Sequence, residues 1–341
     1  MPEERFLLVR LGSLGDVIFT LPTLAALRDT FPDAQIDWVI DRRWAPLLAG
    51  NPDLSHMISL PDRSVGAFLD CARGLRASKY TCAIDIQGLY KSALLARLSG
   101  APRRIGFTSA FVREGGAAMF YTKRVAPREP HMVGQNLELA MAAGARAGSP
   151  RFPLHVSEAA RAKIESLLAQ YAWQQYAVLS PGGGWRSKCW PPERFGAVAH
   201  VLWERHGLRA FINSGPGESE LARAVLEAAG DAAPVAVQLE LAELMALLQR
   251  ARIAVAADSG PLHLAVALGT PVVGLYGPTS PERNGPYSKS DIVVRNVSPA
   301  ETTYKRRGTY SSAMLGISVE QVADAVERRL GPAAPRADKP Q

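Results

Sequence analysis

Leu7-Leu8-Val9-Arg10-Leu11-Gly12-Ser13-Leu14-Gly15-Asp16-Val17 carries an apolar strand into a glycine-spaced turn that opens a helix. The first helical position is read as Asp16, a carboxylate where a nucleotide-gripping loop would hold a lysine. Gly12 and Gly15 let the backbone turn tightly and approach a ligand, and a carboxylate at a positive helix end stays ionised. Only two glycines are present, so this is neither a dinucleotide fingerprint nor a P-loop. The turn points to catalysis more than to nucleotide gripping; the plainer alternative is an aspartate that only caps a helix.

Outward from this turn, apolar runs alternate with helical patterns. Strands are expected at 6–9, 36–40, 57–60 and 82–86, and helices at 16–30, 65–78, 88–99 and 131–143, the rhythm of a parallel sheet. Residues 107–130 lose all periodicity and read as a mobile loop. The Gly- and Pro-containing stretch 144–153 marks a boundary, after which a helix (157–170) leads into a second series. Its strands are expected at 176–179, 209–212, 235–237, 253–256 and 272–275, with a last amphipathic helix over 319–330. The expected division is 1–155, 156–317 and a disordered tail, 332–341. The fold class is α/β, with two Rossmann-like domains whose strand ends face a cleft.

A chain of 341 residues exceeds the size at which one core keeps growing, which agrees with two domains. Hydrophobic content of 47% and charged content of 21% are those of a soluble globular protein. No stretch reaches bilayer-spanning length, and Met1-Pro2-Glu3-Glu4 is not a secretory signal, so a cytoplasmic location is expected. The three cysteines, Cys71, Cys82 and Cys189, are far apart and read as reduced. A net charge of +7 favours anionic partners: nucleic acid, anionic lipid or a phosphorylated substrate. Arg103, Arg104, Arg113, Lys123, Arg124, Arg128 and His131 concentrate that charge in one region.

Three further turns carry chemistry. Ser180-Pro181-Gly182-Gly183-Gly184-Trp185-Arg186-Ser187-Lys188 offers free backbone N–H groups and one full positive charge, a setting that fits a diphosphate. Asp258-Ser259-Gly260-Pro261-Leu262-His263 opens a second anion-accepting helix, in which Asp258 reads as a sugar-hydroxyl acceptor or a cap. His263 reads as a ligand contact or a structural histidine. Glu218, after Asn213-Ser214-Gly215-Pro216-Gly217, is placed to hold a ribose diol, with Glu220 as a neighbouring candidate.

These turns, together with Asp85-Ile86-Gln87-Gly88-Leu89-Tyr90-Lys91-Ser92, Lys188-Cys189-Trp190-Pro191 and Gly277-Pro278-Thr279-Ser280-Pro281, resemble glycosyltransferase family 9, the heptosyltransferases, over most of residues 5–330. The resemblance implies a GT-B fold, with acceptor on the N-terminal domain, nucleotide sugar on the C-terminal domain and helix 318–331 packing back on the first. It implies metal-independent, inverting transfer of L-glycero-D-manno-heptose from ADP-heptose to Kdo of Kdo-lipid A, with no cofactor. By position Asp16 is the general base and Lys188 the diphosphate partner. Gly183, Gly184, Glu218, Asp258, Ser259, Gly260, Pro261 and His263 complete the donor site. Ser13, Gly15, Gln87, Lys91, Arg104, Arg113 and Arg124 are expected to meet the acceptor. A lipid-linked acceptor implies peripheral, electrostatic contact with the cytoplasmic face of the inner membrane.

Two departures from the family pattern stand out. Gly183 and Gly184 replace a threonine pair of some members, and residues 303–314 lack the cysteines of many relatives. Three other readings remain at this level. One is a family 9 transferase acting later in the core or using another nucleotide sugar. The second is a two-lobed binding protein without catalysis, which would normally carry an export signal. The third, nucleic-acid binding, rests on charge alone and lacks the basic and aromatic interleaving it needs.

Overall fold

The computed structural model describes residues 4–62, 64–298 and 301–331; the expected tail, 332–341, lies outside them. Two compact units divide the chain, Met1–His155 and Val156–Gln341.

The first unit runs β1 (Arg5–Val9), α1 (Leu14–Ile18), α2 (Leu21–Thr30), β2 (Gln35–Asp41), α3 (Ala45–Leu48), β3 (His56–Leu60), α4 (Val65–Ala77), β4 (Cys82–Asp85), α5 (Tyr90–Leu98), β5 (Arg103–Phe107), β6 (Lys123–Val125) and α6 (Met132–Ala143). Its strands pair in parallel in the order β3-β2-β1-β4-β5-β6. Helices on both faces explain why β1 reads as an unbroken apolar run: Phe6, Leu7, Leu8 and Val9 are all fully buried. Each such side chain contributes about 1.5–3 kcal/mol through burial.

The second unit runs α7 (Glu158–Tyr171), β7 (Tyr176–Ser180), α8 (Pro192–His206), β8 (Arg209–Asn213), α9 (Ser219–Ala229), β9 (Val235–Val237), α10 (Leu241–Arg250), β10 (Ile253–Ala257), α11 (Gly260–Ala267), β11 (Val272–Leu275), α12 (Pro281–Asn284), β12 (Ile292–Val294), α13 (Ser312–Leu315) and α14 (Val319–Leu330). Its order, β12-β11-β10-β7-β8-β9, repeats that of the first sheet, and every pair is again parallel. In each sheet the order reverses beside the first strand, between β1 and β4 and between β7 and β10. Loops diverge at such a switch point and leave a crevice at the carboxyl ends.

Two expectations need correction. The helix expected over 16–30 is two helices, because Pro22 has no N–H for an interior turn and falls instead at the start of α2. The loop expected over 107–130 contains β6 and a 3-10 turn, Gly115–Phe120, held by the Tyr121 hydroxyl on Asp85 Oδ2 at 2.6 Å. The last helix, α14, places Val322, Ala325 and Val326 in the core of the second unit, where it packs on α8, β11 and β12. The approach to it is pinned by Trp190 Nε1 on the Ile317 carbonyl at 3.0 Å.

Candidate active site

On the first unit, α1 starts at Leu14, so Asp16 occupies the third helical position rather than the first. Its Oδ2 accepts from the backbone N–H and the hydroxyl of Ser13, both at 3.1 Å, and from Arg10 Nη2 at 2.7 Å. The aspartate therefore does cap its helix, and it does so with one oxygen. The side chain remains 36% exposed. Desolvation pushes its pKa up, but the Arg10 charge and the Ser13 donors outweigh this and hold it below the ordinary value. Gly12 must be glycine by close approach, since a Cβ there would lie 2.6 Å from Trp44 Nε1.

The turn after β4 leans on this one. Gln87 Oε1 accepts from Leu11 N at 2.6 Å, and Arg10 Nη1 donates to the Ile86 carbonyl at 2.7 Å. Beneath it the fully buried Asp85 accepts from Gln87 N, Ser92 Oγ and Tyr121 Oη at 2.6–2.9 Å. Desolvation dominates there and raises the Asp85 pKa despite those donors. Gly88 has φ +68° and faces Val112, a conformation and a space that only glycine fits.

The basic cluster is divided between scaffold and surface. Arg104, expected to meet the acceptor, is anchored to its own unit: Nε donates to the Phe120 carbonyl at 2.9 Å and Nη1 to that of Ala101 at 2.8 Å. Arg103 and Lys123 likewise serve the last carbonyls of α6, on Ala143 and Ala142, where a helix end favours cations. Arg124 touches the Ala118 carbonyl through Nε at 2.9 Å yet stays exposed. Arg113 and Ser13 are exposed, Lys91 is half-buried and Gly15 is buried in α1.

On the second unit, Lys188 and Asp258 meet although 70 positions apart: Nζ lies 2.6 Å from Oδ2. The carboxylate is 2% exposed, and its Oδ1 also faces His263 Nε2 at 3.1 Å and accepts from Asn284 Nδ2 at 2.9 Å. Burial pushes Asp258 toward protonation, but the His263 hydrogen bond and the Lys188 charge overcome it and hold the group far below the usual carboxylate range. Lys188 also lies 4.3 Å from the Trp185 ring centroid, and Arg306 lies 5.0 Å from the same ring. Sequence reasoning missed Asn284 and Arg306, because both lie far along the chain from the residues they meet and only the fold brings them here.

The remaining residues expected at the donor site follow the strand ends. Among the described residues the N–H groups of Gly183 and Gly184 meet no acceptor, and the buried Ser187 Oγ, Ser259 Oγ and Thr279 Oγ1 have no hydrogen-bond partner. Buried hydroxyls without partners are rare in native proteins and mark a place where a polar ligand completes the set. Gly260 and Pro261 open α11 directly after Ser259. Glu218 precedes α9, its Oε2 accepting from Gly215 N at 2.7 Å, and its carboxylate fills the space a Cβ on Gly182 would need. Glu220, the neighbouring candidate, is spent on Arg223 at 2.6 Å.

Comparison with known proteins identifies the family. The profile of glycosyltransferase family 9 (heptosyltransferase) matches residues 68–313. The chain is 32% identical to lipopolysaccharide heptosyltransferase 1 of Pseudomonas aeruginosa, over 90% of its length and 88% of the relative's. It is 27% identical to lipopolysaccharide heptosyltransferase 3 of Escherichia coli K12, over 95% and 98% of the two chains. The E. coli heptosyltransferase WaaC solved with ADP matches with a TM-score of 0.76 at 25% identity, over 95% of this chain and 99% of that one. Two parallel six-stranded sheets of one strand order, matched along their whole length by such structures, are the GT-B fold, and the chain belongs to glycosyltransferase family 9, the heptosyltransferases.

Proposed function

We propose that this enzyme transfers L-glycero-D-manno-heptose from ADP-heptose to Kdo of Kdo-lipid A, with inversion, in the inner core of lipopolysaccharide. The observation that carries the reading is the donor site: a buried Lys188–Asp258 pair beside free glycine amides and partnerless hydroxyls. The relatives supply the choice of sugar and nucleotide, since the matched proteins are lipopolysaccharide heptosyltransferases and one is solved with ADP.

In this reading Asp16 takes the proton of the attacking Kdo hydroxyl, which becomes acidic as its bond to the anomeric carbon forms; a low pKa in the base is then no obstacle. The bond from that carbon to the diphosphate breaks, and charge gathers on the leaving ADP. Lys188, the amides of Gly183 and Gly184 and the start of α11 at Gly260 and Pro261 neutralise it, with no metal assigned. Ser259 adds a hydroxyl to the phosphates, Glu218 takes the ribose diol, and Asp258 takes heptose hydroxyls with His263 holding its other oxygen. Ser13, Gly15, Gln87, Lys91, Arg113 and Arg124 serve the acceptor, whose carboxylates and phosphates suit the exposed arginines.

Two acceptors test the step. Deacylated Kdo-lipid A should gain one heptose mass, and the same acceptor already bearing a heptose should be poorer; the reverse order places the enzyme later in the core. Gly182→Ala tests the ribose contact. The added methyl displaces the Glu218 carboxylate, so ADP affinity should fall by about tenfold, near 1.4 kcal/mol; calorimetry showing unchanged affinity removes Glu218 from the site.

No described helix is long and apolar enough to cross a membrane. With a net charge of +7, peripheral attachment to the cytoplasmic face of the inner membrane is read as electrostatic. Binding to anionic vesicles should weaken steeply as salt rises from low to physiological ionic strength. Salt-independent binding in flotation assays contradicts that attachment.

A further inference from the structure

Arg10 is conspicuous because it is nearly buried, at 6% exposure, yet lies in the turn that ends at the base. Its guanidinium forks: Nη1 donates to the Ile86 carbonyl at 2.7 Å and Nη2 meets Asp16 Oδ2 at 2.7 Å. Its backbone is fixed as well, with the carbonyl accepting from Trp38 Nε1 at 3.0 Å and the N–H reaching the Val39 carbonyl at 3.3 Å. We propose that Arg10 is a positioning residue that locks Asp16 through Oδ2 and thereby leaves Oδ1 as the one oxygen able to take the acceptor's proton.

The argument is a count of lone pairs. Oδ2 faces three donors, Arg10 Nη2, Ser13 N and Ser13 Oγ, whereas no described residue donates to Oδ1. A carboxylate oxygen so engaged has no lone pair left for a fourth proton, so transfer has to end on Oδ1. The planar fork sets the rotation of the carboxylate, because one guanidinium spans the Ile86 carbonyl and Oδ2 together; an ammonium is a point charge without that geometry. The carboxylates that end the two neighbouring strands are already engaged. Asp41, at the end of β2, pairs with Arg43 at 2.8 Å, and Asp85, at the end of β4, is taken up by Gln87, Ser92 and Tyr121. The charge that acts on Asp16 is that of Arg10.

The inference rests on Asp16 being the base, so the test separates the two. Arg10→Gln, Arg10→Lys and Asp16→Asn are compared for kcat, donor KM and the pH dependence of kcat. Arg10→Gln should lower kcat about ten- to hundredfold, the scale of a misaligned reacting group. Donor KM should stay put, because the donor contacts lie on the second unit. Arg10 holds Asp16 ionised, so its removal should move the acid limb of kcat to higher pH. Arg10→Lys should keep the limb low, through its charge, with kcat between the other two. Wild-type kcat and limb in Arg10→Gln, beside an inactive Asp16→Asn, overturn the role of Arg10 alone; an active Asp16→Asn overturns the base itself. Should Arg10→Gln fail to fold, Arg10→Lys decides: reduced kcat with a low limb supports the role, and wild-type kcat overturns it.

Discussion

Asp16→Asn should lower kcat by about a thousandfold or more while ADP binds with wild-type affinity. The amide can reproduce every contact on the Oδ2 side, because its oxygen can accept from Arg10 and from Ser13, the two partners of that atom. Its nitrogen then lies where Oδ1 stood and presents a donor to the acceptor hydroxyl, with no lone pair to receive a proton. The fold has no reason to change, since the cap survives. ADP titration and steady-state kinetics on one preparation check both halves, and activity within tenfold of wild type removes Asp16 as the base.

Lys188→Met should be the most damaging change on the second unit, for two separable reasons. Asp258 is 2% exposed and keeps its charge through Lys188 and His263. Removing the lysine strands that charge, a loss of about 3–5 kcal/mol for a buried pair broken on one side. The Asp258 carboxyl then titrates higher. Because its folded pKa is depressed in the wild type, the stabilisation it brings is present above the unfolded carboxylate range and is lost as pH falls through the folded value. Acid should thus unfold the variant at higher pH than the wild type. Transfer is lost as well, since the positive charge assigned to the leaving diphosphate is removed. The double variant Lys188→Met/Asp258→Asn separates the causes. Thermal melts should recover most of the stability while transfer stays absent, and recovery of transfer would deny Lys188 its place at the diphosphate.

The fold was legible wherever burial on both faces left an apolar run, as in β1, β7 and β10, and wherever amphipathic period and caps agreed, as in α14. Three strands escaped notice for physical reasons. β5 begins Arg103-Arg104, which shortens its apolar run, and β6, at the edge of the sheet, is the three-residue Lys123-Arg124-Val125; basic residues on an edge strand discourage pairing with other chains and hide it from pattern reading. β12 has only Val294 buried. Gly106 in β5 is there because the Tyr121 ring occupies the space of its Cβ.

The candidate site was legible in its turns but not in its partnerships. Glycines at 12, 88 and 182 announce close approach, and the structure shows what approaches: Trp44, Val112 and the Glu218 carboxylate. That Lys188 would neutralise Asp258 depends on β7 and β10 being neighbours in the sheet, and that Arg10 would seize one oxygen of Asp16 depends on how the turn between them folds. Arg104 shows the converse. Its charge suggested an anionic ligand, and its hydrogen bonds are to the backbone of its own unit.

The most direct test is transfer from ADP-heptose to deacylated Kdo-lipid A in the presence of EDTA, following ADP release and product mass together. The account predicts one heptose mass gained per ADP released, at a rate EDTA does not change. ADP release without a mass gain, or transfer that EDTA abolishes, contradicts it.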